Sequence, residues 1–327
     1  MMMICRCATW FGLAVLVLSV GCSTPSLNVE TPLAQEHRDA LLKRGRPPQT
    51  YNLTLYNSDR GPVFAGANRT HPRQTATLDF VSDRNTTAPM IKVSQGGSED
   101  LVFLIDTSAQ DNWVSQETRQ KMNGVVIVSP SPVEQFASHV YDPIGGWAVV
   151  LPKVRLGEIH VENVVAYARN ALGPIDTLNR WERHDRLGGV IGFNLLAAFN
   201  HVTLDCRGRE VFFSVDRDYQ PGPRGILLTV PMKPEAKALT CEGWVDGEKV
   251  DIVLDFAGDF EVVMADPVDT TLKQISIGDL VFRDVQVISA YELGLGANSP
   301  VRIGRQLLER FIVTIDNKSQ RVIFEQP

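Results

Sequence analysis

From Met90 onward the chain alternates short apolar runs with breakers: stretches rich in Val, Ile, Leu and Phe are interrupted at intervals by Gly, Pro, Asn and Asp. Branched and aromatic side chains suit a pleated, half-buried surface and the breakers supply turns, so the pattern predicts a mainly β protein with few, short helices. Residues 23 to about 75 read differently. Ser, Thr, Pro, Asn and charged residues are mixed there with little sustained periodicity, apart from a helical spacing around Leu33 to Lys43. Ahead of them, Arg6 precedes an apolar stretch of ten residues, Phe11 to Val20, too short to span a bilayer and suited to a targeting signal.

The apolar pattern repeats. Ile191-Gly192-Phe193-Asn194-Leu195-Leu196 returns as Ile303-Gly304-Arg305-Gln306-Leu307-Leu308, and both copies continue alike: Val202-Thr203-Leu204-Asp205 is echoed by Val313-Thr314-Ile315-Asp316. Upstream, Val154-Arg155-Leu156-Gly157-Glu158-Ile159 matches Ile275-Ser276-Ile277-Gly278-Asp279-Leu280, a strand, a turn and a second strand. Further upstream an apolar run ends in aspartate each time, Leu101 to Asp106 and Val250 to Asp255. Three matched blocks in one order describe a duplicated unit. Asp246-Gly247 is a hairpin signal leading into the second of these strands, and Gly96-Gly97-Ser98 stands in the corresponding place in the first. The breaker cluster Pro221-Gly222-Pro223-Arg224-Gly225 separates the copies.

On these residues the chain resembles the pepsin and retropepsin group of aspartic peptidases. Asp106-Thr107-Ser108 followed by Trp113-Val114 is similar to that family's Asp-Thr-Gly followed, at the same distance, by Trp-Val. Residues 189–192 and 302–304 look like its apolar-apolar-Gly element, and Val140-Tyr141-Asp142 before Gly145-Gly146 resembles its flap hairpin. The resemblance implies a two-lobed pepsin-like barrel fold of two duplicated units. It also implies Asp106 and Asp255 as a catalytic pair, the loop residues Thr107, Ser108, Phe256 and Ala257 around them, and Tyr141 closing over substrate. Read on its own, Tyr141 is equally an ordinary strand residue. Two carboxylates held close cannot both ionise, so they share one proton. One then activates water while the other protonates the substrate, and the reaction requires neither metal nor cofactor. Three residues depart from the pattern: Ser108 and Ala257 stand where glycine is usual, and Phe256 lacks the hydroxyl that Thr107 keeps. Asp255 is therefore either a working partner or a vestigial copy.

The remaining composition narrows the function classes. With 32 basic against 38 acidic residues, a net charge of -6 and no long run of either sign, there is no electrostatic case for nucleic-acid binding. His37, His71, His139, His160, His184 and His201 show no paired metal spacing. Asp176-Thr177 and Asp269-Thr270 imitate the catalytic dipeptide without an apolar strand before them, and Asp205 and Asp316 precede polar turns, so all four are read as loop or turn aspartates. Ser19-Val20-Gly21-Cys22 is similar to a bacterial lipobox with Ser19 in the place of leucine, which implies lipidation of Cys22; an ordinary secretory signal cut nearby also exports the protein. Ser23 after that cysteine implies, by the same resemblance, the outer membrane of the cell envelope. Cys206 and Cys241 would then be the cysteines of the folded body, either bridged in an oxidising compartment or left as two buried thiols.

The expected organisation is a signal peptide over 1–21, a tether and N-terminal extension over 22–75, a first lobe with Asp106 over 76–220 and a second with Asp255 over 221–327. The expected function is envelope-anchored aspartic endopeptidase acting on a peptide or protein substrate. The alternative is an inactive peptide-binding or scaffold lipoprotein of the same shape. Oligomeric state is not legible.

Overall fold

The structure is a computed structural model that describes residues 40, 43–58, 61–81, 87–95, 100–128, 147–169, 187–223, 225–233, 237–296 and 298–327. The targeting signal, Cys22, most of the helical spacing before Lys43, Gly96-Gly97-Ser98, Tyr141 and Asp176-Thr177 lie outside the described residues.

The described residues among 46–70 join the body. After a helical turn at Pro48–Tyr51, strands β1 (Thr54–Ser58) and β2 (Gly61–Ala65) form a hairpin, and β3 (Arg69–Thr70) follows. Leu53 is buried in the smaller of the two main apolar cores, and Arg46 bridges to Ile127.

The first repeat then supplies β4 (Thr75–Asp79), β5 (Met90–Val93), β6 (Leu101–Ile105), β7 (Asn112–Ser115), α1 (Gln116–Lys121), β8 (Val125–Val126), β9 (Trp147–Leu156), β10 (Ile159–Arg169), β11 (Leu187–Ile191), α2 (Phe193–Leu196), β12 (His201–Asp205) and β13 (Glu210–Ser214). The second supplies β14 (Ile226–Pro231), β15 (Thr240–Val245), β16 (Glu248–Asp255), β17 (Val262–Met264), β18 (Thr271–Ile277), β19 (Leu280–Ser289), β20 (Val301–Gly304), α3 (Arg305–Leu308), β21 (Ile312–Asp316) and β22 (Arg321–Glu325). Helices are few and short, as the texture predicts.

Strand order confirms the duplication. The first sheet runs β5-β6-β11-β7-β10-β9-β8, with β3 added on β10, and the second runs β15-β16-β20-β17-β19-β18, the same order for the six strands from β5 to β9, with β8 and β3 as additions in the first. The second closes into a barrel where Trp244 and Val245 pair with Ser276 and Ile275; in the first, paired hydrogen bonds between Ser94 and Arg155 join β5 to β9 at the matching place. A third sheet, β14-β22-β21-β12-β13-β4, takes strands from both repeats. At its centre β12 pairs antiparallel with β21, and the Thr203 and Thr314 hydroxyls meet at 2.8 Å. These threonines occupy equivalent places in the repeat, so an approximate two-fold axis passes between them. The fold is mainly β and two-lobed, built from two duplicated units.

Turn chemistry follows the sequence. Asp246 and Gly247 adopt positive φ of 47° and 89° between β15 and β16, the mirror-image turn whose twist matches a hairpin. The apolar faces converge on one large core that includes Ile105, Ile191, Leu254 and Ile303, while Trp113 stacks on Tyr167 in the smaller one, ring centres 5.2 Å apart. Among the described residues no helix is long and apolar enough to cross a membrane.

Candidate active site

Each aspartate is delivered by the same three-strand device. Asp106 follows β6, which runs parallel to β11, and β11 in turn pairs antiparallel with β7; Asp255 ends β16, which stands in the same relation to β20 and β17. The chain therefore leaves each inner strand at the aspartate, loops round, and is crossed from behind by a strand ending in or before glycine. Gly192 and Gly304 sit where a Cβ would collide with the backbone carbonyls of Asp111 and Phe260, equivalent positions of the two loops. Close backbone approach explains the recurrence of Ile-Gly.

Asp106 is 1% exposed and Asp255 wholly buried. Asp106 Oδ1 accepts from the Ser108 amide at 2.9 Å, the Ser108 hydroxyl at 2.7 Å and the Ala109 amide at 3.1 Å. Asp255 Oδ1 accepts from the Gly258 amide at 2.8 Å. The Ser108 hydroxyl accepts from Arg302 Nη1 at 3.2 Å, and the same nitrogen lies 3.4 Å from Asp255 Oδ2, so Ser108 and Arg302 together link the two carboxylates. Burial first, and then the Asp106 carboxylate, push the Asp255 carboxyl up to about 7; Arg302, the Gly258 amide and Ser108 oppose them.

Thr107 and Phe256, at equivalent positions, share the junction unequally. The Thr107 hydroxyl donates to the Leu254 carbonyl at 2.5 Å and accepts from the Phe256 amide at 3.1 Å, while its own carbonyl accepts from the Leu239 amide. Phe256 has no hydroxyl to return the bond; its ring is fully buried in the main core, and Ala257 joins the smaller one. Substituting Thr107 with valine removes both hydroxyl hydrogen bonds and takes that partner from the buried Phe256 amide and from the Leu254 carbonyl. Global stability in denaturant titration is expected to fall by about 2 kcal/mol.

Arg302 is the site residue that sequence reasoning missed. It stands in the middle of β20, 7% exposed, with Nη1 3.4 Å from Asp255 Oδ2 and 3.2 Å from Ser108 Oγ. Its mate in the first repeat, Val190, is a buried apolar residue of the smaller core. That mismatch between two otherwise matched segments was the available signal.

Two further expectations resolve against the site. Cys206 and Cys241 are free thiols and not a bridge: Cys206 follows β12 of the shared sheet, whereas Cys241 lies within β15 of the barrel. Burial pushes both thiols up to about 12, which leaves them unreactive at ordinary pH. Asp205 and Asp316 serve turns, accepting from the Gly208 and Ser319 amides, and Asp316 also pairs with Arg321. A cavity of about 580 Å³ opens against the shared sheet, lined by residues including His201, Phe212 and Tyr219, and contains neither Asp106 nor Asp255.

No family model and no curated protein matches the chain. Among solved structures it is similar to an aspartic proteinase from Irpex lacteus, at 11% identity over 77% of this chain and 97% of that one, with a TM-score of 0.49. It is also similar to conglutin gamma, a basic 7S globulin from lupine seeds, at 11% identity over 79% and 96% and a TM-score of 0.45. The Basic 7S globulin from soybean is a third, at 11% identity over 78% and 95% and a TM-score of 0.46.

Proposed function

We propose that the chain is an aspartic endopeptidase using Asp106 and Asp255. The observation that carries this is the equivalence of the two aspartates. Both are buried at the ends of matched strands, Ser108 and Arg302 link them, and the Asp106 charge bears on the Asp255 carboxyl. A pair of this kind holds one proton. With Asp255 pushed up, the proton resides there at acid pH and Asp106 is the base. Asp106 takes a proton from water as the water oxygen bonds to the peptide carbonyl carbon, and Asp255 gives its proton to the carbonyl oxygen. As the tetrahedral diol collapses, one of its hydroxyls returns a proton to Asp255, the C–N bond breaks and the amine leaves with the proton Asp106 had taken, which releases the carboxylic acid product and restores the dyad.

The lobes would be residues 76–220 and 221–327, with an extended peptide between them. Export by the N-terminal signal and a lipid on Cys22 would place the enzyme in the cell envelope. The test uses protein from Ser23 onward, incubated with an unfolded protein across acid to neutral pH, with and without a statine-type inhibitor. New termini that disappear with inhibitor are the expected result; intact substrate over a broad panel overturns the reading.

A second reading is a peptide-binding scaffold without hydrolysis, favoured by the Phe256 ring and by the ion pair that Arg302 makes with Asp255. Peptide capture by main-chain hydrogen bonds needs no dyad. In that case peptide binds without being cut, and Asp106 substitution leaves the affinity unchanged.

A further inference from the structure

Among the places where the chain's own two-fold symmetry is broken near the aspartates are three aligned pairs. Thr107 faces Phe256 across the axis, Ser108 answers to Ala257, and Val190 answers to Arg302. Two of the breaks meet across the repeats. Arg302 Nη1 reaches Ser108 Oγ from the other repeat at 3.2 Å, and Ser108 Oγ reaches Asp106 Oδ1 at 2.7 Å. A guanidinium in a strand whose mate carries valine is costly to desolvate unless a carboxylate compensates it, and Asp255 Oδ2 at 3.4 Å is that carboxylate.

We propose that Arg302 is a positioning residue: bonded to Ser108 and Asp255 together, it makes the inter-repeat link that Phe256 cannot make and sets the pH at which the dyad gives up its proton. Asp255 is faced by Asp106 from the loop after β6 and by Arg302 from β20, and among neutral groups by the Gly258 amide, which donates to it, and by Ser108. Asp106 favours keeping the shared proton and Arg302 favours losing it. With Arg302 in place the dyad reaches the doubly ionised form, which has no acid to offer the substrate, at lower pH than two facing carboxylates alone would. Arg302 thereby confines activity to the acid side. For hydrolysis this rests on the peptidase reading; for the charge of Asp255 it does not.

The experiment compares wild type, Arg302→Gln, Arg302→Lys and Ser108→Ala in two measurements. The first is the alkaline limb of kcat/KM on a cleaved peptide. The second, independent of activity, is the pH dependence of the denaturant midpoint, with Asp255→Asn as the control that flattens it. Arg302→Gln is expected to move both upward by about one pH unit or more, the scale on which an opposite charge at this range acts. Arg302→Lys restores the wild-type position, and Ser108→Ala moves it upward by less. Superimposable wild-type and Arg302→Gln curves overturn the proposal. If Arg302→Gln does not fold, Arg302→Met, which keeps the apolar stem without the charge, takes its place with the same two outcomes. Shifted midpoints without hydrolysis by any form uphold Arg302 and dismiss the peptidase; hydrolysis with an unmoved limb does the reverse.

Discussion

On the peptidase reading, asparagine at Asp106 is expected to lower peptide hydrolysis by about 10²–10⁴-fold while leaving the fold in place. The change is nearly isosteric and keeps an oxygen able to accept from the Ser108 and Ala109 amides, so the loop retains its shape. What disappears is the base: an amide cannot take the proton from attacking water. The loss should fall on kcat, with KM little changed, the pattern of a group that acts in the transition state and not in substrate binding. Full activity in the variant, at a circular dichroism spectrum equal to wild type, would remove Asp106 from the chemistry.

The second large effect concerns stability. The Asp255 carboxyl rises on folding to about 7, through burial first and then the Asp106 charge. The unfolded chain releases that proton near an ordinary aspartate value of about 3.9, so between the two values the folded state binds more protons. Its contribution is therefore fully present below about pH 4 and is lost as pH rises to about 7, a span worth about 4 kcal/mol. Asp255→Asn has no such proton. Relative to wild type, the variant should gain stability steadily over that interval and run parallel to it above, as read from denaturant titrations at several pH values. Parallel curves throughout would mean that Asp255 titrates normally.

Much of the architecture was legible because duplication writes each structural requirement twice. Ile-Gly before a short helix, Gly-Glu and Gly-Asp at hairpin turns, and apolar runs ending in aspartate all reappear as superimposable elements, and each has a local steric or turn reason. Residues 43–70 were less legible. A two-residue strand such as β3 has no periodicity to detect, and it exists because β10 offers it an edge. The pairing of Cys206 with Cys241 was undecidable because linear spacing does not encode the separation of Cα atoms. Arg302 stayed hidden for a related reason. Within one apolar strand an arginine reads as a surface residue, and only the third dimension brings its guanidinium to a carboxylate 47 positions away in sequence.

The seam between β12 and β21 bears on how the chain comes apart. Five successive residue pairs join the repeats there, so neither half owns a complete sheet. A protease nick in the breaker cluster at 221–225 would leave those bonds untouched, and the two fragments should stay together and unfold in one cooperative transition. Made separately, each fragment would expose a long interior strand as a raw edge, free to capture another chain. The shared sheet makes solubility, as well as stability, a property of the undivided molecule.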